Sequence, residues 1–315
     1  MGRSIRTQFS MQNSPVTKKR NSLIEFYRFF FAMNVVKNHG YFPYQGKYFS
    51  PEHISVEFFF ILGGFFLRKS FEKYLSLSYF KGLFLMLKNK ILSMGIPFFI
   101  ALLVHIPYKI VTKSSPWWEL NDWGYLWFVF DMLVIDIFYF TVRRLLKNEW
   151  WMFGIAGVLF ITASIFHAIP EFHDTGWFRA IGSMSLGVLI SYIPPIKLKK
   201  QWLLFIPLSL AWIYILRMLL WDYSFAEEEI LNLIIFPALI YLTFQLSIDN
   251  KVFNYLGAIS FGLYAYQAVP RLIYVLGYEN TWVYFAIVLG LAVLTDALMR
   301  VIRYQKYKKL QEQCS

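Results

Sequence analysis

The stretch TWVYFAIVLGLAVLTDALMRVIRYQKYKK, residues 281–309, decides how the rest of the chain is read. From Trp282 to Leu298 its only charge is Asp296; Arg300, Arg303, Lys306, Lys308 and Lys309 follow. About twenty apolar residues, rising about 1.5 Å each as a helix, cross a hydrocarbon core about 30 Å thick. The same pattern, an apolar stretch closed by a cluster of charge, recurs along the chain. It predicts helices over residues 22–41, 52–70, 88–108, 122–141, 150–169, 177–194, 202–220, 229–247, 253–275 and 281–301. The expected class is all-α, a polytopic membrane bundle of about ten transmembrane helices.

The basic residues sort by connection. Arg3, Arg6, Lys18, Lys19 and Arg20 precede the first span. Alternate connections carry Arg68, Lys69, Lys73, Lys81, Lys88 and Lys90, then Arg143, Arg144 and Lys147, then Lys197, Lys199 and Lys200, then Lys251. The intervening ones hold only Lys47, Lys109 and Lys113, with an acidic run from Asp222 to Glu229. By the positive-inside rule both termini are cytoplasmic, in a multi-pass protein of the inner (cytoplasmic) membrane. The net charge of +12 is accounted for by this sorting, so the partners expected are membrane lipids and not nucleic acid. Hydrophobic residues are 57% and charged residues 16% of 315, against about 25% charged in soluble domains. One cysteine, Cys314, excludes a disulfide framework within one chain. Residues 1–21 read as a basic cytoplasmic leader, 22–303 as one membrane domain and 304–315 as a basic tail.

Charge at bilayer depth costs at least about 2.5 kcal/mol, so each intramembrane charge needs a partner, a wet cavity or an escape to the interface. Lys37, Arg179, Arg217 and Arg271 fall near outer ends, where snorkelling accounts for them. Asp131, Asp136 and Asp296 are expected as counter-ions to bases of this intramembrane set. Arg28 and His39 lie eleven residues apart, on one face of the first helix and about 16 Å apart along it. Glu25, one turn before Arg28, is its expected ion-pair partner. Glu57 enters the second span near its outer end, either as a counter-ion to a Lys or Arg, or as the carboxylate that orients His39. The five histidines share no ligand spacing such as i, i+4, so no metal is expected.

These residues resemble the acyltransferase-3 family of bacterial membrane O-acyltransferases. Glu25-Phe26-Tyr27-Arg28, followed by His39, is similar to the family's first-helix pattern of acidic residue, Arg, ten residues and His. Glu57-Phe58-Phe59 through Gly63-Gly64-Phe65 resembles its acidic residue, Phe pair and Ser-Gly-Phe signature, with Gly63 in place of Ser. Leu126-Trp127-Phe128 is similar to the Leu-Trp-Phe entry of a middle helix. Gly257 to Tyr264 resembles the late Gly-x-x-Ser-Tyr-x-x-Tyr stretch, with Phe261 for the first Tyr and Gln267 where many members place a His. Lys88, Lys90 and Met94 stand before Pro97 where the family often has an Arg-x-x-Arg pair.

The resemblance implies transfer of an acyl group, most often acetyl, from cytoplasmic acyl-CoA to a sugar hydroxyl of a surface or lipid-linked glycan. Arg68, Lys69, Lys88 and Lys90 are then expected to hold the anionic CoA end. His39 is the general base for the acceptor hydroxyl or a transient acyl carrier, assisted by Glu57 and Arg28. A glycan or lipid transporter is the alternative, and it predicts broken helices and internal repeats. A structural or sensory membrane protein is a third reading, under which Arg28, His39 and Glu57 are replaceable.

Overall fold

The structure is a computed structural model that describes residues 21–39, 53–112, 127–167, 169, 176–220, 225–246, 248–267 and 281–314. Within these helices the side chains of 37–39, 53–54, 104–112, 214–220, 225–232, 281, 303 and 306–314 are outside the description. Ten helices and no strand occur among the described residues. They are α1 Ser22–His39, α2 His53–Leu75, α3 Tyr79–Thr112, α4 Trp127–Leu146 and α5 Glu149–His167. They continue as α6 Gly176–Ile190, α7 Lys200–Leu220, α8 Phe225–Thr243, α9 Lys251–Tyr266 and α10 Thr281–Cys314. Stretches in α3, α5 and α10 are long and apolar enough to cross a membrane, and α6, α7 and α8 hold shorter apolar segments. Large apolar side chains such as Leu103, Trp150, Phe205, Trp212 and Trp282 are exposed on outward faces. Lipid is the solvent that suits such a surface. The chain is a polytopic helical membrane protein.

Side-chain register gives the direction of each neighbour. Asn34 Nδ2 donates to Ser55 Oγ, and Phe31 meets Phe58 with ring centroids 4.4 Å apart. Both pairs sum to the same residue total, so α1 and α2 are antiparallel. Ser22 Oγ bonds Asn254 Oδ1 at 3.0 Å, and Glu25 lies against Gly257. That constant offset makes α1 and α9 parallel. α2 and α6 are parallel as well, with Arg179 at Glu57 and Gly187 at Ile61 and Phe65. α9 and α10 are antiparallel, from Gly262 beside Ala292 and Arg300 over Tyr255. Among these five helices the odd ones run one way and the even ones the other, as a chain that threads repeatedly through one layer requires.

The closest crossing is between α2 and α6, which together with α1 and α9 make the most extensive contacts. A Cβ at Gly64 would strike the backbone at Met184, and one at Gly187 would strike the backbone at Ile61. Only glycine on each side lets the two backbones approach so closely. α3 differs from expectation: it begins at Tyr79, well before residue 88, and is broken at Gly95 (φ 64°, ψ −151°). Pro97 cannot donate to the preceding turn, and Gly95 takes up a conformation that β-carbon-bearing residues avoid.

Candidate active site

α1, α2, α3, α4 and α9, with Phe244 and Leu246 just after α8, line a cavity of about 890 Å³. Its mouth lies at the end of the bundle where α1 begins, beside the exposed Lys69, Ser70 and Lys73 of α2. From Lys73 to Phe59 the cavity follows α2 for about 21 Å. Arg28 and Lys90 stand in its walls, and Phe59, Phe128 and Phe261 line the part farthest from the mouth. Four basic residues therefore face one carboxylate, Glu25, around the lining.

Two of the four are already neutralised. Arg28 Nη1 donates to Glu25 Oε2 at 2.8 Å, the i, i+3 pair legible in the sequence. Lys90 Nζ is bonded to Asp136 Oδ2, a carboxylate of α4. Lys69 and Lys73 have no carboxylate partner among the described residues; Lys73 lies over the ring of Tyr74 at 4.7 Å. The mouth thus keeps uncompensated positive charge, while the interior is apolar and aromatic. Such a cavity suits an amphiphile that enters tail-first and leaves an anionic head at the rim.

A family model of the acyltransferase domain matches residues 22–299. The chain belongs to the acyltransferase-3 family. No curated protein and no solved structure matches it. As a member of that family it is a membrane acyltransferase.

In this acyltransferase, the residues expected to hold the donor divide. Lys69 and Lys90 line the cavity with Arg28. Arg68, about 100° round α2 from Lys69, turns away from the cavity. There its Nη2 donates to Glu149 Oε2 at 2.6 Å and its guanidinium covers the Tyr192 ring. Burial pushes the Tyr192 phenol up from its ordinary value, and Arg68 beside it partly offsets that. Lys88 is exposed and lines no part of the cavity. Lys73 was missed as a lining residue, although its spacing of four from Lys69 places both on one face of α2.

Three intramembrane charges depart from expectation. Arg179 does not snorkel: it is buried and bonds Glu57 Oε1 at 3.4 Å, the counter-ion alternative for Glu57. Asp136 answers Lys90, because α3 starts early enough to carry Lys90 well into the bundle. Asp296 answers Arg300 at 2.7 Å, one turn along α10. Arg217, Arg271 and the side chain of Lys37 lie outside the described residues.

His39 closes α1, and its side chain is outside the description. Its position is nevertheless constrained. The α1–α2 register sets Glu57 opposite residue 32, so position 39 is about 10 Å farther along α1. Asn34 marks the α2-facing side of α1, and position 39 is about 140° round from it. Ala32 and Val36, which cluster with Leu263 and Tyr266 of α9, share its side. Glu57 lies where α2 meets α6, bonded to Arg179.

Proposed function

We propose that this acyltransferase moves an acyl group, most simply acetyl, from acyl-CoA to a sugar hydroxyl of a surface polysaccharide or lipid-linked glycan. The observation that carries this reading is the cavity with a basic mouth and an aromatic floor in a chain of this family. Lys69 and Lys73 receive the phosphates of CoA, and Arg28 and Lys90 stand farther in. The mouth opens at the end where α1 begins, which the distribution of Lys and Arg assigns to the cytoplasm of the inner membrane. α1 then joins donor and acceptor, with Arg28 in the cavity and His39 about 16 Å outward on the same face. His39 takes the proton of the attacking hydroxyl, or carries the acyl group itself. Glu57 supports the site by holding α2 to α6 through Arg179.

One observation belongs to the transport reading: α3 is a broken helix whose break, at Gly95, adjoins the cavity-lining Ser93 and Met94. The two readings separate in one experiment. The acetyl ester content of purified surface glycan is measured in the host, in a deletion strain and in a strain carrying His39→Ala at matched expression. The expected result is loss of ester in the deletion strain and a fall of about 10²–10⁴ in transfer rate with His39→Ala. Glycan that is exported normally and keeps its ester in the deletion strain would overturn acyl transfer. Glycan that is missing from the surface altogether would favour transport.

A further inference from the structure

Gln267 caps the outer end of α9, only 1% exposed, and neither its Oε1 nor its Nε2 has a hydrogen-bond partner among the described residues. Its backbone carbonyl is engaged, accepting from the Tyr284 hydroxyl at 3.2 Å. A buried carboxamide offers two donors and an acceptor, and leaving them unmade costs about 1–3 kcal/mol per group. Native structures keep few such groups, and an unmet one calls for a partner: an ordered water, an ion, a ligand or a reacting group. Its surroundings are apolar: Leu263, one turn before it, is buried with Ala32 and Val36 of α1.

The register of α1 and α9 says what faces this amide. The offset set by Ser22 with Asn254 and by Glu25 with Gly257 puts Gln267 level with Val35. Position 39 lies four residues, about 6 Å, farther out along α1. Val36 and Leu263 belong to the same packed cluster, and the next positions outward on those two faces are 39 and 267. Two helices that run in parallel thus bring an unpaired carboxamide to within about 6 Å, along the helix axis, of the end of α1.

We infer that Gln267 is a further catalytic residue of acyl transfer, its Nε2–H donating to the carbonyl oxygen of the acyl group as the acceptor hydroxyl attacks. This rests on the proposed function. In the step, the acceptor oxygen bonds to the thioester carbonyl carbon while its proton passes to His39. The carbonyl π pair moves onto oxygen, where the amide N–H stabilises the developing charge. Collapse re-forms the carbonyl and breaks the C–S bond. The electron pair leaves on CoA sulfur, which takes the proton back from His39, so the products are an ester and free CoA thiol. If the acyl group rests first on His39, the same oxygen is held in both half-reactions.

The test uses the full chain in proteoliposomes with acetyl-CoA and surface glycan purified from the deletion strain, followed by CoA thiol release and ester formation. Gln267→Met keeps the volume and removes both unmet polar atoms. If the amide were only structural, this change would leave activity intact and hold or raise the melting temperature. The expected result is a fall in kcat of roughly 10²–10³, with KM for acetyl-CoA within about twofold and the melting temperature not lowered. Gln267→His retains a ring N–H donor and should recover part of the rate. Wild-type kcat in Gln267→Met overturns the inference. So does a loss shared equally by the Met and His variants and accompanied by a lower melting temperature, which marks a structural role. A wild type that consumes no acetyl-CoA and esterifies no glycan overturns the proposed function and this inference together, whereas an active wild type with an equally active Met variant overturns the inference alone.

Discussion

A carboxylate and a guanidinium buried together between helices stabilise each other, and neither tolerates isolation. Glu57 and Arg179 are in that position. Glu57→Leu leaves the guanidinium unpaired and should destabilise the protein by about 3–5 kcal/mol. The double variant Glu57→Leu/Arg179→Leu should recover most of that loss, read as the thermal midpoint in detergent. A double variant no better than the single one would mean that Glu57 acts through another group. At the cavity mouth, Lys69→Glu with Lys73→Glu should raise KM for acetyl-CoA at least tenfold, since a hydrogen bond to a charged group contributes about 1.5–3 kcal/mol. The salt dependence of KM should weaken with it. An unchanged KM would place the donor elsewhere. Residue-scale chemistry was legible where partners are close in sequence, as with Glu25 and Arg28. It was not legible for Lys90 and Asp136, because nothing in either residue's neighbourhood names the other helix.

At the scale of elements, the helices depend on where glycine stands. Gly64→Leu or Gly187→Leu would push α2 from α6 and should abolish accumulation of folded protein, measured as the monodisperse fraction after detergent extraction. The Glu57–Arg179 pair lies along the same interface, so separation of the helices would also break it. Gly95→Ala tests the break in α3. At φ 64°, ψ −151° a β-carbon should cost about 1–3 kcal/mol, seen as a lowered melting midpoint. An unchanged midpoint would mean that α3 can run through residue 95 without the break. Hydropathy located helix existence well, since apolar runs of about twenty residues have few other uses. It misjudged the start of α3 because Lys81, Lys88 and Lys90 read as a connection, whereas the apolar run 83–87 between them belongs to the membrane-long stretch Tyr79–Leu103.

For the whole molecule, the alternation of helix directions and the sorting of Lys and Arg make one topological prediction. Reporter fusions after residues 45, 115, 173, 225 and 279 should report one side, and those after 78, 146, 199 and 250 the other, shared with both termini. Two connections on the wrong side would overturn the assignment of spans. The sequence by itself determined the class of the protein, the number of helices and the alternation of charge between connections, because each follows from short-range composition against a slab of fixed thickness. It also carried the family, through motifs at the spacing of single helices. Only the tertiary structure decided which charges meet. It joined Glu57 to Arg179 and Lys90 to Asp136, drew Lys69 and Lys73 to a common cavity mouth, and turned Arg68 away to Glu149. It also left the Gln267 carboxamide buried without a partner among the described residues. These facts depend on helix order, direction and rotation, and packing sets those through contacts between residues far apart in the chain.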